Sequence, residues 1–327
     1  MRMTVLASGS KGNATVIASE RTRVLVDAGL SCRELLRRMA IAHEDPEQLD
    51  AILITHEHID HVAGLAVLAR RLRIPVFFTE ATHRAWVRML TPRNPMTYAK
   101  WLDHLQQEKA AKAAAETVIP DLAAEAADTQ RSDDPNATLE LSSEDDCDPE
   151  TPPTRKQDPT YLPAVEFFRA GTDFAIGDLH IQPFTIPHDA ADPCGFVFTS
   201  GGIRVALATD LGYMPPNVKA ALKRIDLLLL ESNHDLEMLR DGPYPWSVKQ
   251  RVLSRVGHLS NAATAEWLQK DYDGGAHTII LGHLSESNNA PELALLAAEQ
   301  AIGDRMRLLG NRILVARQSE PLDPVTL

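Results

Sequence analysis

Short apolar runs, helical patterns and polar loops alternate along most of the chain. Residues 3–6, 14–18 and 23–27 are apolar and β-prone and predict strands, with a glycine-containing loop at 8–13 between the first two. Residues 31–40 carry apolar side chains at helical spacing, 51–55 form a short apolar run, 62–72 give a second helix pattern and 76–79 another strand. Strand patterns resume at 165–169, 174–176, 179–186, 195–198 and 204–208. The leucine run at 227–231 predicts a strand buried on both faces, between helices at 218–223 and 245–256. A helix at 261–269, a strand at 278–281, a helix at 291–301 and a strand at 312–316 complete the pattern, which repeats at no fixed period. Such alternation predicts a layered α/β or α+β domain.

The pattern breaks near residue 91. Tyr98, Trp101, Leu102 and Leu105 fall at i, i+3, i+4 and i+7 and predict one amphipathic helix over about 96–116. Residues 117–160 are rich in Asp, Glu, Ala, Ser, Thr and Pro and poor in large apolar side chains. That composition cannot bury enough surface to offset its ordering entropy, so this stretch is expected to be disordered. The plan is therefore two folded parts, 1–90 and 164–327, flanking an insertion at 91–163.

Charge changes this picture only when it is located. The net charge is −12, but residues 116–158 hold thirteen acidic and three basic side chains, −10 of the total, leaving the rest near neutral at −2. An acidic total would argue against a nucleic-acid partner; here that argument reaches only the insertion. The three cysteines, Cys32, Cys147 and Cys194, give neither a disulfide framework nor a CxxC metal knuckle. No run of 18 apolar residues and no signal-peptide pattern is present, so a soluble, cytoplasmic protein with no membrane partner is expected.

The candidate chemistry is concentrated in His56-Glu57-His58-Ile59-Asp60-His61, directly after the apolar run at 51–55. Imidazole and carboxylate are ligands for zinc-like divalent ions. One short loop can aim His56 and His58 at one ion and Asp60 and His61 at a neighbour. Further donors stand at other predicted strand ends: His188, Asp210 and His283. A sheet would present them all along one edge. For a lone histidine a hydrogen-bonded structural role is the better reading, and His43, His83, His104, His180 and His277 are assigned to it.

HEHIDH, with Asp27 before it and His188, Asp210 and His283 after it, resembles the motif series of the metallo-β-lactamase fold. The resemblance covers residues 1–90 and 165–327 and implies an α+β, four-layer αββα sandwich with a binuclear site at one edge of its sheets. It implies that His56, His58 and His188 hold one ion, that Asp60, His61 and His283 hold the other, and that Asp210 bridges them. Asp27 would brace the ligand loop, or simply end a strand in a turn. The segments 7–13, 231–235, 257–261 and 282–289 are similar to the YycJ/WalJ-type proteins of this superfamily, which are cytosolic, metal-dependent 5′-to-3′ DNA exonucleases. More loosely they resemble the phosphodiesterase branch containing RNase Z, in which a Glu and a downstream His stand near the leaving group. Glu231 and His258 match that pair, and His234 would face substrate or brace the Glu231 loop. The insertion has no counterpart in this resemblance.

The implied reaction is phosphodiester hydrolysis. Two divalent ions about 3.5–4 Å apart activate a hydroxide for attack on phosphorus. Asp60 orients it, and Glu231 with His258 supplies the leaving oxygen's proton. Nitrogen and oxygen donors without cysteine suit zinc or manganese alike. Without the resemblance, Glu231 reads as a buried ion-pair residue and His258 as a helix-terminal one. Ser10, Lys11, Asn13 and Ser285 are candidate substrate contacts, the loop at 8–13 offering backbone N–H groups as an anion nest. Lys249, Arg251 and Arg255, on one predicted helix, are candidate contacts to a nucleic-acid backbone or a solvated basic face. DNA is the expected substrate ahead of RNA. A small-molecule hydrolase of the same fold, cleaving a thioester, lactone or cyclic phosphodiester, is the alternative, and the ligand set does not separate the two.

Overall fold

The structure, a computed structural model, describes residues 1–91, 158–305 and 310–327. The helix expected at 96–116 and the disorder expected at 117–160 therefore lie almost wholly outside the described residues. The chain divides into two units, Met1–Val87 with Leu141–Leu327, and Arg88–Glu140. Both sheets and the candidate site belong to the first.

One sheet contains β1 (Arg2–Ala7), β2 (Ala14–Ala18), β3 (Arg23–Val26), β4 (Ala51–Leu53), β5 (Val76–Thr79) and β6 (Val165–Phe168) in that order, with β14 (Val325–Thr326) on the outer side of β1. The other contains β7 (Phe174–Ile176), β8 (Leu179–Thr185), β9 (Cys194–Ser200), β10 (Ile203–Ala208), β11 (Leu227–Glu231), β12 (Thr278–Gly282) and β13 (Arg312–Val315), also in sequence order. β3 to β6 run parallel, as do β10 to β13.

The period-2 geometry of a strand sends successive side chains to opposite faces, and the leucine run of β11 shows the result. Leu227 and Leu229 join Val5, Ile17, Val26, Phe196 and Phe198 in the core between the two sheets. Leu228 and Leu230 join Trp267, Leu268, Ala294 and Ala298 on the opposite face. These come from α8 (Asn261–Lys270) and α9 (Pro291–Ile302), which follow α5 (Pro216–Ala221), α6 (Leu236–Asp241) and α7 (Trp246–Val252). On the outer face of the first sheet lie α1 (Cys32–Ile41) and α3 (Leu65–Leu72), with Leu35, Met39, Leu65 and Leu68 fully buried. The short α2 (Ile59–Val62) lies between them in the chain and α4 (Glu80–Leu90) follows. The result is an αββα sandwich. Each fully buried leucine contributes about 2 kcal/mol of transfer free energy, so a strand buried on both faces anchors whatever side chains stand at its end.

Candidate metal centre

The candidate residues lie where strands end. Asp27 follows β3, the His56–His61 run follows β4, His188 follows β8, Asp210 follows β10, Glu231 closes β11 and His283 follows β12. In parallel-strand sheets this carboxyl edge is where loops converge and ligands bind. Three of these residues, Asp27, Asp210 and His283, adopt left-handed backbone with φ of 61°, 61° and 56°.

The structure brings seven of these side chains into overlapping groups. Donor atoms of His56, His58 and His188 lie within 4.8 Å of one another, as do those of Asp60, His61 and His283. Asp210 reaches both groups, with Oδ2 3.5 Å from His61 Nε2 and Oδ1 3.9 Å from His188 Nε2. Glu231 and His258 join Asp210 and His283 in a further group.

Every ring of these groups except that of His58 is aimed by a neighbouring group. Asp27 accepts from Thr55 N at 2.9 Å and holds His61 Nδ1 at 2.8 Å, and the Thr55 hydroxyl lies 3.0 Å from His56 Nδ1. His188 Nδ1 donates to Gly257 O at 3.2 Å. Asn13 Nδ2 donates to Asp60 Oδ2 at 3.2 Å and lies 3.0 Å from His61 Nε2. Glu231 is fully buried and saturated: Oε1 meets His258 Nδ1 at 2.8 Å and His283 Nδ1 at 2.9 Å, while Oε2 accepts from Leu211 N at 2.7 Å and Leu259 N at 3.1 Å. This pattern engages Nδ1 of His56, His61, His188, His258 and His283 and leaves Nε2 of each on the far side of the ring from that partner.

Three of the converging donor atoms lack a hydrogen-bond partner. His56 Nε2, Asp210 Oδ2 and His283 Nε2 are buried without a hydrogen bond among the described residues. Unpaired buried polar atoms are costly, and three converging on one place fit a cation. The donor set is nitrogen and oxygen throughout, the chemistry of zinc- and manganese-type ions. The electrostatics have the same sign. Burial alone would lower the pKa of His61, yet Asp27, Asp60 and Asp210 hold it well above its ordinary value. Burial is likewise overcome at His283, which Asp210, Asp60 and Glu231 raise to about 10. Where carboxylates are fewer, burial wins: His56 is pushed well down and His188 falls to about 4.

The sequence profile of the metallo-beta-lactamase superfamily matches residues 7–283, a span holding every candidate ligand. The chain belongs to that superfamily. It is 31% identical over 293 residues to the exodeoxyribonuclease WalJ of Streptococcus pneumoniae serotype 2, covering 90% of this chain and 85% of WalJ. It is 31% identical over 305 residues to the exodeoxyribonuclease YycJ of Bacillus anthracis, covering 93% and 90%. The metallo-beta-lactamase fold protein YhfI from Bacillus subtilis matches in structure with a TM-score of 0.58 at 13% identity, over 98% of this chain and 99% of YhfI, which is a likeness of fold. Superfamily membership and the His/Asp clusters together support a site for divalent metal. No helix among the described residues is long and apolar enough to cross a membrane.

Within this metallo-beta-lactamase frame the candidate substrate contacts divide. Ser10 and Lys11 are exposed, with Lys11 Nζ 2.5 Å from Glu286 Oε2. Asn13 and Ser285 are buried and turn inward, Asn13 onto Asp60 and His61, Ser285 onto the backbone and amide of Asn288. The loop at 8–13 lacks the row of free N–H groups that an anion nest needs. Gly9 N donates to Asn13 Oδ1, Gly12 N to Gly9 O, Asn13 N to Asp60 O and Lys11 N to Gln318 Oε1. The expected basic face also dissolves. Lys249 is buried with Nζ on the carbonyls of Arg240 and Gly242, Arg251 pairs with Asp189 at 2.5 Å, and the Arg255 guanidinium covers the Tyr213 ring at 4.0 Å. Two residues that sequence reasoning passed over matter here. Thr55 links Asp27 to His56 and His61, and its only signal was adjacency to His56. Gln318 holds the glycine loop from the far end of the chain, and no local pattern marks it.

Proposed function

We propose that this chain is a binuclear metal-dependent exonuclease that removes nucleotides from DNA in the 5′-to-3′ direction. The observation that carries the reading is the Glu231–His258 pair built onto the border of the two donor groups. The WalJ and YycJ relatives, both named exodeoxyribonucleases, support phosphodiester DNA as the substrate.

In this reading His56, His58 and His188 would hold one zinc or manganese ion, Asp60, His61 and His283 would hold the other, and Asp210 would serve both. Bound there, such ions supply Lewis acidity, lowering the pKa of water and offsetting charge that builds on the phosphate. Asp60, with one oxygen fixed by Asn13, orients the attacking water. Asp27 does not bind metal; it fixes the tautomer and direction of His61. Glu231 positions His258 through Nδ1, so that Nε2 carries a proton to the departing oxygen. Ser10 and Lys11, exposed on the glycine loop, meet the strand's phosphates.

The test is digestion of duplex DNA labelled at either end, with Mn²⁺ or Zn²⁺, beside Asp210→Ala. Stepwise loss from the 5′ end is expected, with the variant slower by roughly 10³-fold or more. Intact DNA and RNA in the presence of fully loaded protein would turn the assignment to a small-molecule hydrolase.

A further inference from the structure

Arg251, near the end of α7, stands two short contacts from a donor atom of the candidate centre. Its Nε donates to Asp189 Oδ2 at 2.5 Å, and Asp189 Oδ1 lies 3.5 Å from His188 Nε2. The guanidinium is raised in pKa by the Asp189 hydrogen bond, against burial, and then by the charges of Asp189 and Asp60. It therefore stands in the field of both donor groups, His188 belonging to one and Asp60 to the other.

The carboxylate that aims Arg251 is itself fixed by pieces of the site. Asp189 N donates to Val256 O at 3.1 Å, and Ala191 N donates to Glu57 Oε1 at 2.9 Å. The loop after β8 is thus held on one side by the segment beyond α7 and on the other by the His56–His61 run. Lys249 and Arg255 are engaged by backbone carbonyls and by the Tyr213 ring. Arg251 differs from both. The Asp189 bond occupies Nε, the two Nη groups form no hydrogen bond among the described residues, and 45% of the side chain is exposed. A guanidinium gripped through Nε keeps its Nη pair for an anion, and that planar fork matches two oxygens of one phosphate. Asp189 stands between the fork and His188, so the fork lies beside the donor groups rather than over them.

We propose that Arg251 binds a backbone phosphate next to the one being cleaved, and that this contact makes the site prefer a nucleic-acid strand to a simple phosphodiester. The proposal rests on the nuclease reading above and assigns the second phosphate of that site. Asp189 holds Nε and sets the plane of the fork. A strand carries a phosphate at every step, so a cation at a fixed distance from the hydrolysed bond adds affinity without reading a base. A diester with one phosphate places nothing on the fork.

The test compares kcat/KM for end-labelled DNA with that for bis(p-nitrophenyl) phosphate, a diester with a single phosphate, using the full-length Mn²⁺-loaded chain over a range of salt concentrations. Arg251→Gln removes charge and fork together; Arg251→Lys keeps the charge and loses the fork. Arg240→Gln removes an exposed charge of α6 that pairs with Asp241. In Arg251→Gln the DNA-to-aryl-ester ratio is expected to fall at least tenfold, and the slope of log kcat/KM against log salt for DNA to flatten by about one. In Arg251→Lys the slope is expected to stay and the ratio to fall about threefold. Arg240→Gln is expected to keep both. Melting temperature and metal content report folding and loading, and where Arg251→Gln melts early, Arg251→Lys decides alone. If wild type degrades DNA and Arg251→Gln keeps its ratio and slope, or loses both activities equally, the phosphate contact alone is overturned. Arg251→Lys with the wild-type ratio overturns it too, since Arg251 would then act as a diffuse charge. If wild type hydrolyses the aryl ester and leaves DNA and RNA intact, the nuclease reading falls and takes the phosphate contact with it.

Discussion

Asp27, Asp210 and His283 combine buried polar side chains with left-handed backbone. For non-glycine residues that conformation costs on the order of 1 kcal/mol each. It persists because the surroundings determine it: Asp27 N donates to Leu53 O at 2.9 Å and His283 N to Ser8 Oγ at 2.7 Å. The turn lets a strand-end side chain swing into the cluster. Glu231 shows the complementary device, a carboxylate whose partners leave it no freedom. Glu231→Gln keeps its volume but loses the charge that orients His258. We expect kcat to fall roughly 10²–10⁴-fold with metal content retained; single-turnover rates beside metal analysis check this, and loss of metal would place its main role at His283 instead. His234 offers a pH prediction. Burial lowers its pKa to about 4, against about 6.5 in an unfolded chain. A depressed folded-state value favours the neutral ring, so the contribution is complete above about pH 6.5 and drains away as pH falls toward 4. Thermal unfolding of metal-free protein over that window should be less pH-dependent in His234→Asn than in wild type. Identical slopes would contradict the assignment.

At the scale of elements, the site depends on two loops in van der Waals contact. A Cβ on Gly29 would collide with the Asp60 carbonyl and the Asn13 backbone, in the place where Gly29 N meets Asn13 O and Ala28 N meets His61 O. Gly29→Ala should therefore cost about 1–3 kcal/mol of stability and weaken metal binding together; denaturant unfolding and metal titration would measure both, and a stable variant with unaltered affinity would contradict the coupling. The same elements explain what could be read from the chain. β11 and β12 were legible because apolar runs that short, bounded by polar loops, fit buried strands. α4 was not, because its fully buried stripe is little more than Thr82 and Trp86. Nor was α6, too short for any period to register and started by Asp235, whose side chain accepts from Glu237 N and Met238 N. The helix predicted over 245–256 stops at Val252. Beyond it His258 N returns to Val252 O and Gly257 N to Ser254 O, and that turn delivers His258 to Glu231. Helical periodicity within one segment carries no information about a partner on another strand. The metal motifs were legible for the opposite reason, since donor types at fixed spacing are local. β14 and Gln318 depend on pairing with the first strand and loop of the chain, and a two-residue strand has no pattern of its own.

At the scale of the whole molecule, the donor groups draw on both sheets. Asp27 and the His56–His61 run stand at the edge of the first; His188, Asp210, Glu231 and His283 stand at the edge of the second. Between them the buried apolar core is non-directional and would tolerate small shifts of one sheet over the other. Converging ligands do not. Divalent metal held there would tie the sheet edges together, and it would bind the folded chain far better than the unfolded one, because no unfolded segment outside the 56–61 run brings these donors close. Binding restricted to the folded state adds about 2.7 kcal/mol when free metal is a hundredfold above Kd. For a domain of this size that amounts to about 5 °C or more in Tm. Chelation should therefore lower Tm by that amount and restoring Zn²⁺ or Mn²⁺ should recover it, read by calorimetry at fixed pH. Asp210→Ala supplies the internal comparison. Among the described residues it removes the carboxylate that reaches both groups, so its melting should hardly respond to chelator. A wild-type Tm indifferent to chelator, in protein shown to release its metal, would mean that the sheet edges hold their positions without ions and that the cluster serves chemistry alone.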